Sequence, residues 1–535
     1  MFPKKENFIM EKVLSFILVL LMVATLLVSC ASTGNDDVTT KAPEQVTEPE
    51  NGSETGIVIK EEKPFDATEM KEKNEAAGKV MNVLTWNAEH PEFEMLETEV
   101  GGDSVNSAIF ERNSQVKRTL GLSEIIWNEQ KGSNSYEASY LKYVETVAQN
   151  GDVPIDVVAT YSRSAALLSQ KGFLAPVNFY KNHIDLTHSW YPEALLEEVN
   201  IGGNVYFISG DISTNLLFLT YGCIFNKDII TDIGKDYNYL YDLVNEGKWT
   251  LDELFKLTGE YYYDEDGNGY KSSADAIGLR TDSLNIDAIY TGSGLRYIEV
   301  DNNATDSKKL FVVSADYGSK KSNDLNDRIG QIFASDYAID DSNCAKNFAV
   351  QANSIMLISR IRDIRELFKE GVDKMEYGVL PIPKYDVAQK DYRCVTANPI
   401  TLWGIYAGNF DLESEECAAG FIEWMGYFAV HNTTDAIFEY LFKGRYADEP
   451  DDAESFDTIR RTTTFDLGRI FGRVISSSNM MVDQWSNCAA SGSKWSSIYA
   501  SLIRGYSDGA KKASQDFWNL KETMKDPYEF PYENK

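Results

Sequence analysis

The strongest constraint on this chain is a regular alternation, between residues 80 and 160, of short apolar runs with longer amphipathic ones. Residues 80–86 (VMNVLTW) read as a strand and 87–91 as the loop that leaves it. Residues 106–120 space their apolar side chains along one helical face, which Gly121-Leu122 ends. Residues 124–127 (EIIW) are a second strand, and 136–149 a second helix closed by Asn150-Gly151. Residues 155–160 (IDVVAT) are nearly all apolar, as in a parallel strand covered on both faces. Strand, helix, strand, helix, strand in that order makes an α/β sheet with right-handed crossovers. Open α/β sheets bind ligands beyond the carboxyl ends of their strands, so 87–90 and 161–163 are the first places to expect a site. At 535 residues the chain exceeds what one core organises, so two or more lobes are expected.

Ahead of that body the composition changes twice. Lys4, Lys5 and Lys12 flank an apolar run over 13–28, shorter than the roughly 20 residues a membrane span needs. The run ends in Leu27-Val28-Ser29-Cys30, followed by Ala31 and Ser32, and resembles the lipobox of bacterial lipoproteins. That resemblance implies a signal peptide over 1–29 and a diacylglycerol on Cys30, which becomes the first residue and anchors the chain at the cell exterior. An ordinary signal peptide, or a short anchor helix with an incidental cysteine, is the alternative. Residues 30–77 are rich in Thr, Glu, Asp and Pro and hold too few apolar side chains to offset the entropy of ordering. They are expected to be a disordered acidic tether.

The formal charge of −32 repels phosphate backbones and excludes nucleic acid as a partner. The 30 Tyr, 26 Phe and 9 Trp must mostly be core, but they also suit a site that stacks flat ligands. The cysteines Cys223, Cys344, Cys394, Cys417 and Cys488 form no CxxC pair, and with Cys30 lipidated their number is odd, so buried free thiols are expected.

Five segments, in order, carry a further resemblance. Asp156-Val157-Val158 leads to Gly172-Phe173-Leu174-Ala175-Pro176, and Gly203-Asn204-Val205-Tyr206-Phe207-Ile208 follows, with Ser209 in place of a proline. Then come Phe225-Asn226-Lys227-Asp228, Trp249-Thr250-Leu251-Asp252-Glu253-Leu254 and Tyr377-Gly378-Val379-Leu380-Pro381-Ile382-Pro383. Together they resemble the family 1, maltose-binding-like extracellular solute-binding proteins of ABC importers. The resemblance implies an α/β fold of the type II periplasmic-binding-protein kind. Each of two lobes is a mixed sheet flanked by helices, with a cleft between them that closes on a small solute. Lobe one is expected over 78–219 and 377–428, lobe two over 220–376 and 429–525, and a tail over 526–535. The implied partners are a carbohydrate and the permease subunits of the importer; no cofactor is required, and a monomer is expected.

Candidate contacts follow from the strand ends and from the resemblance. Trp86, Asn87, Glu89 and His90 offer an aromatic face and paired hydrogen-bonding groups after the first strand. Tyr161, Ser162 and Arg163 follow the third, and Asp211, Ser213 and Asn215 precede the lobe crossover. Asn285, Tyr290, Ser359, Arg360 and Trp495 are the candidates from the second lobe. Capping and core packing are the alternative for each. Asp264, Asp266, Asn268, Tyr270 and Asp275 have calcium-loop spacing around Gly269, with Asp where a longer Glu is usual; structural calcium or an acidic surface turn are both open. The chain has four His and no HExxH, GxSxG, Walker A or strand-linked GxGxxG, so a binder rather than an enzyme is expected. A surface glycoside hydrolase, whose carboxylate pair needs no sequence spacing, and an adhesive lipoprotein are the rivals.

Overall fold

The computed structural model describes residues 65–87, 104–370 and 375–530. The calls on 1–29 and Cys30, on most of the tether, on Glu89 and His90 and on the end of the tail lie outside the described residues.

Two sheets organise the body. The first runs in the order Glu124–Lys131, Val80–Asn87, Val157–Tyr161, Thr401–Tyr406, Leu174–Ala175. Its first three strands are parallel and Thr401–Tyr406 enters antiparallel. All five residues of Val157–Tyr161 are buried, as an apolar strand between two helical layers must be. The helices expected from the spacing are Ser104–Leu120 and Glu137–Asn150, the latter stopped by Gly151 in the left-handed region at φ +67°.

The second sheet runs Ala338–Asp340, Ala276–Thr281, Ser354–Arg360, Tyr221–Asn226, Tyr377–Leu380. Tyr221–Asn226, buried throughout, is antiparallel to both its neighbours. The two α/β halves with mixed sheets match the expected fold class.

Two sheet assignments differ from the expected lobe limits. Tyr377–Leu380 is expected with the first lobe, but its backbone pairs with Tyr221–Asn226 of the second sheet. The segment Val430–Tyr446 is expected with the second, but it continues the helix Leu412–Ala429 with wider, π-helical turns and packs on Ser104–Leu120 of the first half. A linear division cannot foresee either, because sheet pairing and helix continuation are decided by contacts far apart in sequence.

Three chain segments cross between the halves side by side. Ala397 N donates to Leu219 O at 2.8 Å, Thr220 bridges Thr396, and Cys394–Val395 pairs in parallel with Thr463–Thr464. The final helix, Trp495–Thr523, touches both halves: Trp495 Nε1 donates to Tyr317 O at 2.8 Å, and Asp516 Oδ2 accepts from Gln170 Nε2 at 2.7 Å.

Candidate functional site

Helices that follow sheet strands start at the carboxyl edge, where an α/β lobe presents its polar groups. Three such starts converge. Glu137 opens Glu137–Asn150 after the strand Glu124–Lys131, and Arg163 is second in Ser162–Gln170, directly after Val157–Tyr161. Asp287 opens Asp287–Gly292, after the second-sheet strand Ala276–Thr281. Two short helices, Leu467–Ile470 and Gly472–Ile475, carry Arg469 and Arg473 among them.

Arg163 Nη1 lies 3.6 Å from Glu137 Oε1, and Arg473 Nε donates to Glu137 Oε2 at 2.8 Å. Arg469 pairs with Asp287 and places its guanidinium over the Tyr221 ring, 5.2 Å from the centroid. Trp86 and Tyr161 add two rings at the same edge of the first sheet, 5.4 Å apart between centroids.

Burial sets the electrostatics. Asp287 is pushed up to about 6 by burial, although Arg469 pulls it down. Burial also raises Glu137, against the pull of Arg163 and Arg473. Burial opposes the charge on Arg469, but Asp287 outweighs it and the guanidinium stays charged. Burial pushes Tyr161 up to about 12, so its hydroxyl remains neutral. Asp287 Oδ1 and the Tyr297 hydroxyl are buried with no hydrogen-bond partner among the described residues. Buried polar atoms normally find partners, so these two are exceptions within the cluster. Forked guanidinium donors, carboxylate acceptors and aromatic faces are what a polyhydroxylated ligand requires.

The other sequence candidates fall in several places. Trp86 is buried with its Nε1 donating to Thr401 Oγ1 at 3.2 Å. Asn87 ends its strand. Ser162 Oγ donates to Asn398 O at 2.6 Å, tying a helix start to a crossing segment. Ser213 and Asn215 serve as structural crosspieces. Ser213 Oγ donates to Thr401 O at 2.7 Å and accepts from Trp403 Nε1 at 3.1 Å, while Asn215 joins Pro399 O and Thr401 N at 2.8 and 3.1 Å. Asn285 Nδ2 donates to Ile358 O at 3.3 Å. The Tyr290 hydroxyl donates to Arg296 O at 3.1 Å, and its ring stacks on Tyr297 with centroids 4.2 Å apart. Ser359 Oγ and Arg360 Nε both donate to Asp363 Oδ2, at 2.5 and 3.3 Å. Trp495 differs from its expected role: it is 1% exposed, edge-on to Tyr317 at 4.9 Å, a packing residue of the second half.

Asp211 lies away from the cluster, on the wall of a separate cavity of about 520 Å³. Arg460 Nη2 sits 3.4 Å from both its oxygens, and burial raises its pKa against that pull. Gly210 makes this wall possible: at φ +128° a Cβ there meets Trp190 O at 2.0 Å.

Glu137, Asp287, Arg469, Arg473, Tyr221 and Tyr297 are absent from the sequence candidates. Glu137 had a signal, since it follows the second strand as 161–163 follow the third. The rest had none, because nothing local separates a buried Arg in a four-residue helix from any other.

In the loop over 264–275, one oxygen from each of Asp264, Asp266 and Asp275 lies within 4.8 Å of the others. Asp264 accepts from Asn268 N and Gly269 N at 3.2 and 2.9 Å, Gly269 taking φ +74°. Asn268 Oδ1 accepts from Tyr270 N at 2.7 Å. Asp275 is fully buried and accepts from Ser272 N and Glu265 N at 2.7 and 3.1 Å. The carboxylates thus converge while the backbone holds them, a donor set that suits a hard, oxygen-seeking cation.

No family model matches the sequence, and no curated protein matches it. Solved structures do. An ABC substrate-binding protein from Listeria monocytogenes, in complex with cycloalternan, is similar at 13% identity, covering 84% of this chain and 100% of its own, with a TM-score of 0.50. UspC from M. tuberculosis is similar at 12% identity, covering 81% and 100%, also with a TM-score of 0.50. The fold is that of the two-lobed solute-binding proteins. In this solute-binding fold the cluster around Arg163 and Asp287 occupies the carboxyl edges of both sheets. No helix among the described residues is long and apolar enough to cross a membrane.

Proposed function

We propose that this chain is the solute-capturing subunit of an ABC importer, held at the cell exterior through a lipid on Cys30, with a sugar or oligosaccharide as its solute. The observation that carries the reading is that helix starts from both halves act on one another: Arg163 of the first pairs with Glu137 and its charge also lowers the pKa of Asp287 of the second. A guest that bonds to both sets favours the state in which the halves are together, and this difference in affinity is all that closure needs. The three side-by-side crossings are the hinge. The closed form is then what permease subunits read.

The test is a thermal-shift screen of the chain against sugars, oligosaccharides, peptides, amino acids and polyamines. A true ligand at 100 times its Kd stabilises by about 2.7 kcal/mol. Arg163→Ala is expected to abolish the shift; a complete absence of hits defeats the proposal. Two buried carboxyls with raised pKa, Glu137 and Asp287, favour one rival, a glycoside hydrolase. Product analysis of each sugar hit decides, since a binder returns it unchanged. Cys30→Ala is expected to release the chain from membranes, and unchanged retention removes the lipid from the proposal.

Asp264, Asp266 and Asp275, with the Asn268 side chain and the Tyr270 carbonyl, are proposed as a structural calcium site. Lys271, inside the same loop, donates to Phe333 O, Ser335 O and Ala338 O at 2.9, 2.5 and 2.9 Å. An ion ordering the loop therefore also seats the lysine that closes the end of the helix Lys320–Ala334.

A further inference from the structure

The helix Met481–Ala490 packs against Ser283–Asn285 and Asp287–Gly292 of the second half, against Leu467–Ile470 and against Trp495–Thr523. Hydrogen bonds fix its start. The Tyr317 hydroxyl donates to Met481 O at 2.8 Å, and Trp485 Nε1 donates to Ser322 Oγ at 3.0 Å. The Trp485 ring also tilts against Tyr290, with centroids 4.7 Å apart. Asp483 lies in the first turn of this helix, between those two anchors.

Asp483 is partly buried, and its carboxylate makes no hydrogen bond and no ion pair among the described residues. Its charge nevertheless reaches groups from three parts of the chain: it raises the pKa of Tyr161 in the first half, of Asp287 in the second and of Tyr506 in the final helix. The other acids of the cluster are held by arginines, Glu137 by Arg163 and Arg473, and Asp287 by Arg469. With Asp483, three carboxylates face three guanidiniums. A guest with a net charge upsets that balance where water is scarce, and an uncharged guest does not. A carboxylate accepts hydrogen bonds and has none to donate, so what bonds to it must supply hydrogens.

We propose that Asp483 accepts hydroxyl hydrogens of the solute and is a specificity-determining residue, selecting an uncharged, polyhydroxylated guest over its amino and acidic counterparts. This rests on the solute-capturing reading of the same site. Hydroxyls that bond to Asp483 replace water, whereas hydroxyls that bond to Glu137 or Asp287 compete with an arginine already there. Two adjacent hydroxyls of a sugar suit the two oxygens of the carboxylate.

Calorimetric titration of the full chain carrying Cys30→Ala tests it, with maltose, cellobiose, xylobiose, lactose and raffinose as neutral probes. Glucosamine and glucuronate are titrated beside glucose as charged counterparts. Adding Asp483→Asn is expected to weaken the Kd of each neutral sugar that binds by about tenfold or more, the loss of a hydrogen bond to a charged acceptor. The Tm of the unliganded variant is expected to stay within about 2 °C of the parent, because the carboxylate bonds to nothing in the fold. An unchanged Kd, a larger fall in Tm, or tighter binding of glucosamine or glucuronate than of glucose overturns the proposal and leaves the importer reading standing. A parent chain that binds none of the sugars defeats that reading and this one with it.

Discussion

Replacing Arg469 by Leu removes the cation that faces Asp287 and leaves a carboxylate buried in place. Breaking a buried pair from one side costs roughly 3–5 kcal/mol, because the remaining charge is uncompensated. The cost depends on pH in a direction the structure fixes. Asp287 holds its proton up to about 6 in the fold, against an ordinary 3.8. A carboxyl with a raised folded pKa contributes stability that is complete below the unfolded value and is lost as pH rises through the folded one. That span of about two units corresponds to about 3 kcal/mol in the parent protein. Without Arg469, which lowers this pKa, the span widens. At pH 5 Asp287 is already protonated and the variant loses little; at pH 8 it bears the full loss. For a unit the size of one lobe, roughly 2 °C of Tm accompanies each kcal/mol, so about 6–10 °C is expected at pH 8. Melting curves at pH 5 and pH 8 read this directly. Adding Asp287→Asn to Arg469→Leu is expected to recover most of the pH 8 loss, since the two residues act as one unit. Equal losses at both pH values, or no recovery in the double variant, refute the reasoning.

Trp495→Ala is expected to lower Tm through a loss of roughly 3–5 kcal/mol of packing while leaving solute Kd unchanged; a weakened Kd in titration restores its expected ligand role. Burial pushes Cys394 and Cys417 up to about 11 and Cys344 up to about 12, and raises Cys223 and Cys488. In a chain carrying Cys30→Ala, no rapid reaction with a disulfide reagent at pH 8 is therefore expected until denaturant is added, and a fast phase contradicts it. Asp264→Ala is expected to abolish a calcium-dependent rise in Tm; a wild-type chain whose Tm ignores calcium retires the site.

Much of the fold was legible in local pattern. The three strands, the two helices between them and the stop at Gly151 follow from periodicity and from what a left-handed residue demands. Length implied more than one lobe, and the described residues form two large sheets, of five and six strands. The candidate site was legible in part. Tyr161 and Arg163 were reachable because strand ends in an α/β sheet are local features, and Asp211 was found but belongs to another cavity. Asp287 and Arg469 were not reachable. They are separated by most of the second half in sequence and are joined by an ion pair, while Leu467–Ile470, which carries Arg469, also packs against Ser162–Gln170. The same reason explains Trp495, whose neighbours at Tyr317 come from a distant turn. Side-chain periodicity and turn residues along one chain segment decide helix or strand, and the residues nearby are enough to read them. Ion pairs, sheet neighbours and cavities depend on which segments fill the same space, and that is decided when the two halves pack.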